Sequence, residues 1–250
     1  MARNPMPLWP FRPKLPVDAD TQEWVDRRMQ WLVDQFGIDR LRSARPVEPT
    51  DEFFPDPYDR SEAAVQRMLD RICPWMDIDP ARIELQFYSE RRNPYVRNEN
   101  DSIPGSAGHY RVEHKEIIAV ERSTLTDPTV VVATLAHELA HVRLLGEQRL
   151  SRDAEDHERL TDLATVFFGL GIFTANSVFK YSQWSRDGWQ GWKVSAHGYL
   201  DECTLAYALA LWTTRRGQPR PSWVRHLTVT PRAYTKHALR YLQKYPPAFA

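Results

Sequence analysis

The sequence predicts an α+β protein, mostly helical, with a small sheet of about three strands packed against one central helix. Three observations lead there. Apolar residues recur at helical spacing in several long stretches, alternation of polar and apolar residues is confined to a short region after Ile83, and glycine and proline mark the boundaries. With 250 residues, 42% hydrophobic and 12% aromatic, the chain can bury a sizeable core in one domain or in a domain with a smaller lobe. A boundary near residue 80 divides an N-terminal arm and helical lobe (1–80) from a domain over 81–250 that carries the chemistry.

In chain order, residues 1–17 repeat proline too often for a regular helix and read as an arm whose Leu8, Trp9 and Phe11 pack onto the body. Asp18 or Asp20 caps a helix through Phe36, with Trp24, Arg28, Trp31, Leu32 and Gln35 at helical spacing and Gly37 as its stop. The tryptophans there read as core packing. Prolines and acids from Arg45 to Tyr58 make an irregular connector anchored by Phe53 and Phe54, and a second helix runs from Ser61 to about Trp75.

At Ile83 the texture changes. ELQFYSE reads as a strand, His109 to Val112 and Ile117 to Glu121 as two more, and the polar segment from Arg91 to Gly108 is too long for a tight hairpin. Thr126, Asp127 and Pro128 supply a capping residue, a first-turn acid and a tolerated proline to start a helix that continues to Gly146. After a polar loop comes a helix from about Glu155 to Leu170, closed by Gly169 and Gly171. A Trp- and Gly-rich loop spans Tyr181 to His197, and amphipathic helices follow over Tyr199 to Arg216 and Thr230 to Lys244.

Charge and cysteine usage narrow the function classes. Lys plus Arg equals Asp plus Glu at 33 each, so no net field draws the chain to nucleic acid or to an anionic membrane, and no nucleic-acid partner is expected. Arg215, Arg216, Arg220 and Arg225 read as a solvated helix end. The longest apolar run, Val166 to Phe173, is far short of the roughly 20 residues of a spanning helix, so no membrane association is expected. Cys73 and Cys203 sit in apolar helical stretches and read as buried free thiols; with no signal-like N-terminus, a cytoplasmic protein is the expectation.

The chemistry concentrates in the stretch from Val130 to Gly146, VVVATLAHELAHVRLLG. His137 and His141 are one turn apart on a single helical face and can bind one zinc ion through their ring nitrogens, while Glu138 beside them is placed to take a proton from water. Composition alone produces such a pattern with a probability on the order of one in a hundred, so its context decides. The flanking Thr134, Leu135, Ala136, Leu139, Ala140 and Val142 are all uncharged, as a helix buried behind a metal requires. A hydrolytic zinc site usually takes three protein ligands. Glu158 and Asp162, four apart on the next helix, can both face the first helix, and His157 is the rival third ligand, about 100° around that helix from Glu158. Glu158 also reads simply as a first-turn acid complementing the helix dipole.

HELAH followed by E-x-x-x-D on a second helix resembles the gluzincin metallopeptidases, the thermolysin-like class, and especially their compact minigluzincin members. The resemblance covers about Glu116 to Gly171. It departs from the class at Arg143, where an apolar residue commonly stands, and in a His141-to-Glu158 interval shorter than thermolysin's. It implies zinc held by His137, His141 and Glu158, Asp162 behind His137, Glu138 as the catalytic base, and a peptide or protein substrate. It also implies that the strand Ile117 to Val120 is an edge that holds the substrate extended. His197, Tyr199 and Tyr181 are the candidates for stabilising the oxyanion. The rival expectations are a non-catalytic zinc-binding regulatory or interaction protein on the same scaffold, its metal closed by four protein ligands, and a hydrolase of non-peptide amides.

Overall fold

A computed structural model describes residues 15–89, 108–112, 115–184, 200–218 and 220–247. Among them are eight α-helices and one three-stranded sheet: α1 (Ala19–Phe36), α2 (Ile38–Ser43), α3 (Glu62–Trp75), β1 (Ile83–Tyr88), β2 (Gly108–Val112), β3 (Glu116–Glu121), α4 (Pro128–His141), α5 (His157–Phe167), α6 (Gly171–Trp184), α7 (Glu202–Arg215) and α8 (Val229–Lys244). The α+β architecture expected from the sequence is the one observed. Leu8, Trp9 and Phe11 lie outside the described residues, as do residues 91–107 and most of the Trp- and Gly-rich loop.

The strand order is β1-β3-β2. β3 runs parallel to β1, with Ile83 opposite Glu116 and Tyr88 opposite Glu121. It runs antiparallel to β2, with Gly108 opposite Val120 and Val112 opposite Glu116. This corrects one expectation: the strand containing Ile117 to Val120 is central, not an edge. Its backbone groups are engaged on both sides, and its residues from Ile117 to Glu121 are all buried, so it has no free edge to offer a peptide. A run that is apolar on both faces belongs in the middle of a covered sheet.

α4 lies against β2 and β3 and packs on α3, α5 and α6. Its start is set locally. Asp127 accepts from the backbone of Thr129 at 2.9 Å and of Val130 at 3.4 Å, and Pro128 occupies the first turn. The cap is therefore Asp127, one residue later than expected. Every residue of α4 from Val130 to His141 is buried, and the helix runs on into a π-turn over Val142–Gly146. There Arg143 packs its guanidinium over Phe36 and Phe168, bonds the carbonyl of Asp77 at 3.0 Å and pairs with Glu147 at 2.9 Å. The Arg143 charge is thus stacked and paired where it follows the buried run of α4.

One hydrophobic core contains Met29 and Leu32 of α1, Leu69 and Ile72 of α3, Ile118 and Val120 of β3, Leu135 and Leu139 of α4, and Leu205 and Trp212 of α7. Phe53 is buried, and Phe54 stacks edge-on against Trp75 and Phe173, so both anchor the connector as expected. Gly169 has φ +94°, and a Cβ there would meet the Arg45 carbonyl oxygen at 2.1 Å. Its own carbonyl accepts from Val47 at 2.9 Å. Glycine is required at this contact. Gly171, by contrast, starts α6 rather than closing α5. Cys73 is buried; Cys203 is only partly so, and both are free. Among the described residues no helix is long and apolar enough to cross a membrane.

Candidate metal centre

Two helices build the site. α4 presents His137 and His141 one turn apart, with their rings edge-to-face and their centroids 4.8 Å apart. α5 presents Glu158 from its first turn. His137 Nε2 lies 3.0 Å and His141 Nε2 3.4 Å from the same atom, Glu158 Oε2. Two ligands at 2.0–2.1 Å on a tetrahedral zinc are themselves about 3.3 Å apart, so these spacings fit a shared ion. Ligand atoms of all three residues lie within 4.8 Å of one another, and among the described residues they form the one such group.

The opposite ring nitrogens are held so that Nε2 of each histidine faces the centre. Asp162 Oδ1 is 2.9 Å from His137 Nδ1. Thr161 Oγ1 gives its own proton to the His157 carbonyl at 2.8 Å, so at 3.3 Å it can only accept from His141 Nδ1–H. That fixes the tautomer, leaving a lone pair on His141 Nε2 for a metal. Asp162 is doubly engaged, because its Oδ2 accepts from the backbone N–H of Leu200 at 2.9 Å.

The electrostatics of the three residues favour a positive charge at this centre. Burial disfavours charge on His137, but hydrogen bonds to Asp162 and Glu158 outweigh it and raise its pKa well above the usual imidazole value. Burial also works against ionised Glu158, and the two histidines overcome it, holding this carboxyl far below the ordinary range. His141 moves the other way: burial lowers its pKa, helped by the charge on neighbouring His137 and opposed by Glu158. The carboxylates of Glu158 and Asp162 thus favour a cation at this centre, as a cation-binding donor set should.

Glu138 is 5% exposed. Its carboxyl is pushed up to about 7, first by burial and further by the charge of Glu158, with His137 opposing. Among the described residues no hydrogen bond fixes it. A buried carboxyl poised near neutrality is suited to accepting and returning a proton.

His157 stands off the centre. Its Nδ1 is 2.9 Å from the Ala154 carbonyl and its Nε2 3.2 Å from Glu158 Oε1, the oxygen turned away from His137. It orients Glu158 rather than joining the three-residue group. The side chains of His197, Tyr199 and Tyr181 lie outside the described residues. Sequence reasoning missed Thr161, although its position three residues after Glu158 puts both on one helical face. It also missed Tyr110 of β2, whose ring stacks near-parallel to His141 at 6.1 Å while its hydroxyl bonds Glu116 at 2.5 Å. Only the tertiary fold brings β2 here.

Comparison with models of known protein families, with curated proteins and with solved structures finds no match.

Proposed function

We propose that this protein is a zinc-dependent metallopeptidase of gluzincin type. The observation that carries the reading is the convergence of His137 Nε2, His141 Nε2 and Glu158 Oε2 beside the buried carboxyl of Glu138. Two nitrogens and one carboxylate oxygen are the donor set of hydrolytic rather than structural zinc sites.

When bound, zinc supplies Lewis acidity that polarises the scissile carbonyl and lowers the pKa of a water to about 7. The protein contributes the rest. Asp162 and Thr161 hold the two imidazoles with Nε2 toward the ion. Glu138 accepts the proton of the attacking water and returns it to the leaving amine, using one group twice. A peptide lies extended along β2, which among the described residues is paired only with β3. Backbone pairing of this kind binds a chain with little regard to its side chains. His197 and Tyr199 remain the proposed oxyanion donors.

Glu138→Gln tests the reading. The variant should retain zinc while hydrolysis of a fluorogenic peptide library falls by at least about a hundredfold. Undiminished turnover would remove Glu138 from the chemistry; a zinc-loaded wild type that cleaves no member of the library would favour a regulatory zinc protein.

A further inference from the structure

One ligand of the metal centre is held from the far end of the chain. Asp156 sits at the N-terminus of α5, two residues before Glu158, yet its side chain does not cap that helix. It turns outward to α1 instead. Arg28 Nε donates to Oδ2 at 2.7 Å and Arg28 Nη2 to Oδ1 at 2.6 Å, a bidentate pair, and the indole N–H of Trp24 donates to the same Oδ2 at 2.8 Å. The pair is mostly covered, with side chains 23% and 19% exposed. Trp24 makes a second contact with the same turn: the guanidinium of Arg159 lies over its ring, 4.2 Å from the centroid. The residues flanking the His157–Glu158 pair are therefore both fixed by one tryptophan, itself anchored in the core by α1.

From this we infer that Trp24 and Arg28 are positioning residues for the metal centre, setting the first turn of α5 so that Glu158 Oε2 meets both histidines. The inference rests on the metal reading above. α4 needs no such help to bring its two histidines together, because helix geometry stacks them one turn apart, and only their ring orientation is set from α5. Glu158 sits in the opening turn of α5, reached by the loop from Glu147 to Asp156, where intrahelical bonds are fewest. A bidentate charge-assisted pair together with an indole N–H is a strong restraint for such a turn. Lysine cannot reproduce the fork.

The test is zinc affinity, by competition with a chromophoric chelator, together with the thermal midpoint of the metal-free protein. It compares wild type, Arg28→Ala, Arg28→Lys, Trp24→Phe and, as a control that breaks an ion pair elsewhere, Arg71→Ala. Arg28→Ala should weaken zinc binding on the order of tenfold, as loss of a ligand's supporting partner commonly does. Arg28→Lys should recover part of that loss, Trp24→Phe should cost several-fold while keeping the ring in the core, and Arg71→Ala should leave affinity unchanged. If Arg28→Ala and Trp24→Phe lower the metal-free midpoint but bind zinc as tightly as wild type, the clamp is merely structural and the inference fails. Should Arg28→Ala not fold, Trp24→Phe and Arg28→Lys decide by the same criterion. Wild type that takes up no zinc would overturn the metal centre itself, and the clamp with it.

Discussion

The two halves of the metal centre are built by different means. The α4 half is local: a four-residue spacing, a capped start at Asp127 and a helix buried all round place His137 and His141 together wherever that helix forms. The α5 half is assembled from afar. Glu158 takes its position from Trp24 and Arg28 of α1, from His157 beside it, and from the histidines it meets. A motif read along the chain captures the first kind of construction apart from the ring orientations that Asp162 and Thr161 set, and the second only as a spacing.

That contrast can be broken from either side. The largest effect is expected in the local half, where His137→Ala or His141→Ala should reduce zinc from about one per chain to a small residue, since two ligands do not hold zinc in a hydrolytic site; elemental analysis after desalting measures it. Next comes the helix that carries them. Leu139 is fully buried, and Leu139→Ala should destabilise the protein by about 2–5 kcal/mol, visible as a thermal midpoint lower by roughly 5–15 °C. In the assembled half, Asp162→Ala removes the acceptor of His137 Nδ1–H. It should weaken zinc about 10- to 100-fold without abolishing binding, so a loss as complete as that of His137→Ala would show that Asp162 does more than orient a ring.

The smallest effect lies farther along α1. Burial raises the pKa of Asp26, against the hydrogen bond from Tyr207 and the charge of Arg215. The Tyr207 hydroxyl donates to Asp26 Oδ1 at 2.7 Å. A carboxyl with a raised folded-state pKa contributes stability that is present below its unfolded value and is lost as pH rises through the folded one. Asp26→Asn, which keeps an oxygen to accept from Tyr207, should remove that slope. The thermal midpoint of the variant relative to wild type should rise by no more than a few degrees between pH 3.5 and pH 7. An opposite sign would mean that ionised Asp26 is favoured by Arg215 more than burial disfavours it.

How far the sequence disclosed this architecture follows the same division. α1, α3 and α8 were legible because each has a polar or charged boundary and a periodic apolar face; α4 was legible from its capped start and uncharged run, and α5 and α7 from their apolar turns. HELAH and the facing of Glu158 and Asp162 toward it were legible from spacing, while the roles of those two acids came with the resemblance. β3 was recognised as a strand, but its place in the sheet was misjudged: the resemblance suggested an edge, while the run Ile-Ile-Ala-Val, apolar on both faces, already indicated a centre. α6 was missed because Gly171 reads as a stop. In the structure Val166 and Leu209 crowd that position, so a Cβ would meet them at 2.8 Å and 3.0 Å, and its glycine is a packing requirement. Trp24 was read as core, which it is; periodicity reports the buried ring and is blind to where the indole N–H points. Thr161 and Tyr110 became visible only once β2, α4 and α5 were brought together.

The most direct test is zinc content in wild type against Glu158→Ala, measured at equal protein concentration after equilibration with excess zinc and desalting. About one zinc per wild-type chain is expected, with a large loss in the variant and the fold retained by circular dichroism. Unchanged occupancy in Glu158→Ala would take that residue out of the centre and contradict the proposed joining of α4 and α5 through a metal.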